Sequence, residues 1–233
     1  MNIVITGASS GVGFFTSLKL SEQGHHVIAI SRSTGKLNDL LLESKKQNSN
    51  SKLSIIVGDI SDDNSMNKIG DEIKSRMSHV SILINNAGKL INKPFTELTE
   101  DDWKDLYSTN VFGTVNMIRK LLPLMPAGSH IVNISSMGGF QGSIKFKGLS
   151  AYSSGKAAIV NLTECLAEEF KERQVAVNCI CLGSVQTEMF VKAFPSMKAS
   201  YSALEIAGYV AQFAVEGMRF FNGKIIPVAN TTP

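Results

Sequence analysis

The sequence predicts an α/β fold in which a parallel sheet is wound on both sides by helices, and three observations carry that prediction. Seven short runs rich in β-branched residues alternate with longer stretches of helical period. The runs are apolar with little polar alternation, which fits strands covered on both faces rather than strands with one wet side. The first run passes through a glycine-rich turn straight into a helical stretch, the usual entry to a doubly wound sheet.

The elements follow in order. Ile3 to Thr6 reads as the first strand and 11–23 as the helix after it, then Val27 to Ile30 with a helix at 35–47. Leu53 to Val57 precedes a helix at 62–77, and Ser81 to Ile84 precedes a long helical pattern at 100–122. His130 to Ile134 leads to a helix at 152–172, Val175 to Cys181 to a helix at 203–218, and Lys224 to Val228 closes the series. Each helical stretch is long enough to be a crossover between parallel strands. No Pro/Gly/Ser-rich stretch divides the chain and no internal repeat is present, so one domain over 1–233 is expected.

Composition narrows the function. The 233 residues are 43% apolar and 18% charged, enough apolar side chain for a sizeable core. The net charge of +3 is spread along the chain, which predicts no nucleic-acid partner and no membrane partner and leaves small acidic ligands open. Cys165, Cys179 and Cys181 are odd in number and lack CxxC spacing, so neither a disulfide framework nor a metal site is expected. Met1 leads directly into the first strand and no 18-residue apolar run is present, which predicts a cytoplasmic protein.

The turn after the first strand is Thr6-Gly7-Ala8-Ser9-Ser10-Gly11-Val12-Gly13. Glycines there let the backbone turn sharply and approach a pyrophosphate, while the helix N-terminus offers free N–H groups and partial positive charge. Gly35-Lys36 is no P-loop, because the glycine five residues earlier is missing and Leu37 follows. At the end of the second strand, where an acidic side chain would accept from a ribose 2′-hydroxyl, stand Ser31 and Arg32. A guanidinium matches a 2′-phosphate in charge and shape, which favours NADP(H) over NAD(H); the plain alternative is a solvated surface charge.

Further motifs stand in register with this turn. Asn85-Asn86-Ala87-Gly88 follows the fourth strand, Asn110 lies in the next long helix, Ser136 follows the fifth strand, and Tyr152-Ser153-Ser154-Gly155-Lys156 opens the helix after it. Together with the Gly-x-x-x-Gly-x-Gly spacing, they resemble the short-chain dehydrogenase/reductase family over nearly the whole chain. The resemblance implies a Rossmann-like, doubly wound parallel sheet of seven strands in the order 3-2-1-4-5-6-7 with helices on both faces. It also implies a homodimer or homotetramer built on the helices around 100–122 and 152–172.

Carried over residue by residue, the resemblance gives Gly7, Ser9, Ser10, Gly11, Val12 and Gly13 to the cofactor's phosphate end. It gives Ser31 and Arg32 to the adenosine ribose, Asp59 and Ile60 to the adenine, and Asn86, Ala87 and Gly88 to the segment beside the adenine ribose. Gly183, Val185 and Thr187 follow the sixth strand at the nicotinamide carboxamide, and Lys156 contacts the nicotinamide ribose. A mobile substrate lid at about 187–202 is also implied. Its run Met189 to Pro195 is apolar except for Lys192, which suits a partly apolar substrate, although Phe190 and Phe194 serve equally well to pack the lid.

Carbonyl reduction needs an acid beside the carbonyl oxygen. Tyr152 and Lys156 are four residues apart on a helix and share a face, so an ammonium there would lower the tyrosine pKa. The resemblance makes Tyr152 the acid/base, has Ser136 bond the carbonyl oxygen, and has Asn110 hold a water that passes protons toward Lys156. Three departures are visible. Ser136 and Tyr152 are 16 positions apart, about three more than the family spacing, which leaves Ser135 as an alternative and makes Gln141 to Leu149 absorb the excess. Leu182-Gly183 stands where Pro-Gly is usual, and Pro227-Val228-Ala229-Asn230 lacks the Asp-Gly-Gly of many relatives. Lys145 and Lys147 either face an anionic substrate tail or belong to a solvated loop. The expected function is NADP(H)-dependent hydride transfer to or from a carbonyl or secondary alcohol; the alternative is a dinucleotide-binding sensor with little turnover.

Overall fold

Residues 1–230 are described by a computed structural model. Seven strands, β1 (Asn2–Thr6), β2 (His26–Ser31), β3 (Leu53–Val57), β4 (Ile82–Asn85), β5 (His130–Ser136), β6 (Ala176–Leu182) and β9 (Ile225–Val228), form one sheet. Its order is β3-β2-β1-β4-β5-β6-β9 and every neighbouring pair is parallel. This is the Rossmann-like order expected from the sequence. The seventh strand is numbered β9 because the two-residue strands β7 (Val185–Gln186) and β8 (Tyr201–Ser202) precede it and pair with each other.

The strands read as unbroken apolar runs because each serves two cores. In β1, Ile3 and Ile5 pack toward α1 (Gly11–Glu22), α2 (Thr34–Gln47) and α8 (Ala203–Glu216), together with Leu18, Leu37, Leu40 and Ile206. Val4 faces the other way, toward α3 (Asp63–Arg76), α5 (Gly113–Leu121) and α6 (Ser150–Glu169), with Ile69, Ile73, Met117 and Ala167. Among the described residues no helix is long and apolar enough to cross a membrane.

The helical pattern at 100–122 is not one regular helix. α4 (Glu100–Tyr107) opens on a capping box between Thr99 and Asp102, a π-helical turn occupies Ser108–Phe112, and α5 continues from there. A π turn holds one residue more than an α turn and widens the backbone, commonly at a functional position; here it contains Asn110. Gly113, just after it, lies where a β-carbon would stand 2.7 Å from Ile60 Cδ1, so the helix approaches the segment after β3 closely. The periodicity also gives no sign of α7 (Glu188–Ala193), a short helix in the lid segment.

At the other end of the sheet, His130 is fully buried at the start of β5. Its Nδ1 lies 2.9 Å from the Ala214 carbonyl and its Nε2 2.9 Å from Asn178 Nδ2. The arrangement fixes a neutral tautomer, with Nδ1–H donating and Nε2 accepting. Burial pulls its pKa down to about 4, against a smaller upward push from the Ala214 carbonyl.

Candidate active site

The carboxyl ends of β1, β4, β5 and β6 open onto a cavity of about 480 Å³, where an open α/β sheet places ligands. Ser9, Ser10, Val12, Ser31, Arg32, Asp59, Ile60, Asn86, Ala87 and Gly88 line one arm of it, with Gly7 at the turn. Ser136, Tyr152, Lys156, Gly183, Val185 and Thr187 line the other. Gly11, Gly13 and Asn110 shape the cavity without lining it.

The first turn is glycine-rich because it is packed as well as bent. Gly7 and Gly11 have φ of +68° and +57°, a region that strains any side chain. A β-carbon on Gly7 would stand 2.6 Å from Ala87 Cα, and one on Gly13 would stand 2.5 Å from the Gly7 carbonyl. Asn86 fills the remaining space: its Nδ2 donates to the carbonyls of Thr6 and Gly7 at 3.0 and 3.1 Å. Thr6 Oγ1 accepts from the backbone N–H groups of Asn86 and Ala87, both at 3.1 Å. The turn and the segment after β4 are thus locked together, with Ser9, Ser10 and Val12 at the α1 N-terminus lining the cavity. Thr6 begins the glycine-rich motif, and spacing alone gives no sign of this bridging role.

At the adenosine end, Ser31 Oγ donates to Ser9 Oγ at 2.8 Å, joining β2 to the glycine turn. Arg32 is 65% exposed and lies 3.5 Å from Asp59. Partial burial works against the Asp59 charge, but hydrogen bonds from the Ser61 hydroxyl and N–H, together with Arg32, outweigh it and hold the carboxyl below its ordinary value. Asp59 is not the cap of α3; Asp62 is, accepting from the Ser65 N–H at 2.7 Å.

At the other end, Lys156 is 5% exposed and donates to the Ile134 carbonyl at 2.9 Å. Its Nζ lies 6.0 Å from the centroid of the Tyr152 ring. Burial lowers the Lys156 pKa to about 8, while the nearby thiols of Cys179 and Cys181 push the other way. Burial likewise raises the Tyr152 pKa, and the Ser136 hydroxyl beside it offsets only part of that. Among these residues alone, desolvation sets the direction for Tyr152, and Lys156 adds no downward pull on it.

The two serines separate by their partners. Ser135 is buried and donates to the Lys156 carbonyl at 2.8 Å, bracing α6 against β5. Ser136 is half-buried beside Tyr152, and its Oγ accepts from the Gly138 N–H at 3.1 Å. Asn110 differs from expectation in detail: its Oδ1 accepts from the Lys89 N–H at 2.7 Å and its Nδ2 donates to the Lys89 carbonyl at 2.8 Å. The amide is a clamp on the segment after Gly88, and the Asn110 carbonyl accepts from Thr114 Oγ1 at 3.3 Å.

Leu182 in place of proline does not free the turn after β6, since the Gly183 N–H donates to the Val228 carbonyl at 2.9 Å. The segment 187–202, expected to be a lid, leaves and rejoins the fold through the β7–β8 pair and is held at two further points. Lys36 at the start of α2 pairs with Glu188 at 2.5 Å, and Asn92 Nδ2 donates to the Ala193 carbonyl at 2.8 Å. Phe190 packs on Phe194, with ring centroids 5.3 Å apart, and Phe194 meets Phe146 from the loop before α6 at 6.4 Å. Both phenylalanines of α7 and its C-cap therefore pack the lid and line the cavity at once.

The model of the short chain dehydrogenase family matches residues 1–198. The chain belongs to that family. It is 29% identical to the 3-oxoacyl-acyl-carrier-protein reductase FabG of Aquifex aeolicus, over 97% of this chain and 94% of that one. It is 35% identical to a 3-ketodihydrosphingosine reductase of Bacteroides thetaiotaomicron, over 79% of this chain and 64% of the relative. Among solved structures, a short chain dehydrogenase from Burkholderia cenocepacia in complex with NADP superposes with a TM-score of 0.89, at 22% identity, over 99% of this chain and 96% of that one. Levodione reductase gives 0.87 at 23% identity, over 97% and 95%. At those identities the structural likeness speaks for the fold alone. The family identifies the chain as an oxidoreductase that acts on small molecules with a nicotinamide cofactor.

Proposed function

We propose that this short-chain dehydrogenase is an NADP(H)-dependent carbonyl reductase of small, partly apolar substrates, one domain with its lid at about 187–202, working as a homo-oligomer in the cytoplasm. The observation that carries the reading is the convergence of Ser136, Tyr152 and Lys156 at the carboxyl ends of β5 and β6, against a cavity with apolar walls.

The fit to a dinucleotide rests on the cradle: glycines 7, 11 and 13 stand where side chains would collide or be strained, beside a helix N-terminus. Gly7, Ser9, Ser10, Gly11, Val12 and Gly13 would hold the pyrophosphate, Ser31 and Arg32 a 2′-phosphate, Asp59 and Ile60 the adenine, and Asn86, Ala87 and Gly88 its ribose. Gly183, Val185 and Thr187 would meet the carboxamide. When bound, the cofactor supplies or accepts the hydride. The Ser136 hydroxyl would donate to the substrate carbonyl oxygen, and Tyr152 would give that oxygen its proton. A Tyr152 pKa raised by burial keeps the hydroxyl protonated at neutral pH, the form that reduction requires. With its pKa near 8, Lys156 keeps its charge at pH 7, placing an ammonium beside Tyr152 as the proton leaves. The Asn110 clamp on Lys89 would hold the segment after Gly88 in place, and Asn110 would hold a water that passes protons toward Lys156. The 3-oxoacyl and 3-ketosphinganine reductases among the relatives support a ketone as the reacting group.

The test is titration with NADPH and NADH by fluorescence, then a panel of β-keto thioesters, long-chain ketones, steroids, diketones and aldehydes read by cofactor absorbance. Tyr152→Phe is expected to lower turnover by ~10²-fold or more while NADPH affinity stays within a few-fold. Turnover that survives the substitution removes Tyr152 from the role. Tight NADPH binding with no turnover on any substrate would favour the sensor reading.

A further inference from the structure

The mouth of the cleft carries more apolar surface than the cleft uses. Ile144 is 64% exposed and Val191 45%, and neither lines the cavity. Beside them, Phe146, Met189 and Met197 line the rim and are still half open to solvent. The two segments are neighbours in space, as the contact between Phe146 and Phe194 shows. A small substrate is served by the inner walls and has no use for side chains that point away from them.

Interleaved with these residues are Lys145, Lys147, Lys192 and Lys198. Among the described residues none of the four has a carboxylate within 4.0 Å. Lys145 donates to the Phe140 carbonyl and to Ser143 Oγ, both at 2.6 Å, and these neutral acceptors leave its charge uncancelled. No Asp or Glu occurs from 106 through 163 or from 189 through 204. The fold thus brings two lysine-bearing segments without carboxylates, far apart in the sequence, to the same mouth.

We propose that the rim formed by 144–147 and 189–198 docks on an anionic lipid surface and sets the cleft mouth against it. Exposed apolar side chains alternating with unpaired lysines match such a surface, the first inserting among headgroups and the second meeting their phosphates. This goes against the expectation of no membrane partner, which weighed charge along the chain and not in space. An apolar substrate would then pass between lipid and site, and that last step alone rests on the proposed reductase activity.

The experiment is co-sedimentation of the full-length protein with phosphatidylcholine vesicles, with and without phosphatidylserine, at low and high salt, alongside NADPH titration and thermal melting. Binding to the mixed vesicles at low salt is expected, with most of it lost at high salt and little on phosphatidylcholine alone. Lys145→Glu with Lys147→Glu should weaken it about tenfold or more. Ile144→Ser with Val191→Ser should also weaken it, leaving melting and NADPH affinity unchanged. No binding to anionic vesicles overturns the proposal. So does binding that both apolar substitutions leave intact and that soluble poly-glutamate matches, the pattern of an acidic protein partner. Vesicle binding without NADPH binding would sink the reductase reading and leave the docking standing.

Discussion

At the residue scale the adenosine end offers the sharpest discrimination. Arg32 leans on Asp59 across 3.5 Å, and at 65% exposure that pair is weak enough to yield to a stronger anion. Replacing Arg32 with Asp turns attraction for a 2′-phosphate into repulsion beside a carboxylate already present. The expected outcome is a rise of about tenfold or more in the NADPH dissociation constant, with NADH changing far less, measured by paired titrations. Equal losses would show that Arg32 reads no phosphate. Residue identity also decided which parts of the site were legible in the sequence. The glycine turn and the Tyr152/Lys156 pair are local patterns, so spacing alone exposes them. Bonds such as Asn110 to Lys89, Asn92 to Ala193 and Ser31 to Ser9 join residues 21, 101 and 22 positions apart, and no periodicity encodes them.

Among the elements, the segment proposed as a lid is held by its two-rung pairing and a few cross-contacts. Glu188 opens α7 and reaches across to Lys36 on α2. The pair is half exposed on one side and mostly exposed on the other, so it is worth under about 1 kcal/mol. Glu188→Gln is accordingly expected to speed cofactor release by roughly 2–5-fold in stopped-flow displacement, with the melting temperature nearly unchanged. Wild-type release should approach that of the variant as salt is raised. An unchanged release rate would mean that the pair does not restrain the lid. The strands and long helices were readable because burial on both sheet faces writes apolar runs and 3.6-residue periods into the chain. The π turn at Ser108–Phe112 was not, since one inserted residue barely perturbs the pattern over 100–122.

The whole molecule should be sensitive to acid through His130. Folded, its imidazole titrates near 4, and in an unfolded chain near 6.5. Between those values the unfolded chain binds more protons, so stability falls as pH drops from about 6.5 toward 4, by up to ~3 kcal/mol. Urea unfolding at pH 7 and pH 5 should show the loss. His130→Leu should shrink this dependence while costing stability at pH 7, because the Ala214 carbonyl and Asn178 lose their partner. A variant with the full wild-type pH dependence would place the acid lability elsewhere. The order of the sheet was within reach of the sequence through its motifs, whereas this buried polar joint was not, since His130 reads as one more residue in an apolar strand.

The β7–β8 pair has a consequence for how such a protein diversifies. Two rungs clamp both ends of the excursion from Thr187 to Ser200, so the sheet does not register what lies between them. That stretch is in effect a cassette. A stretch grafted from a relative at those two rungs is expected to keep the sheet, provided it brings its own partners for Lys36, Asn92 and Phe146.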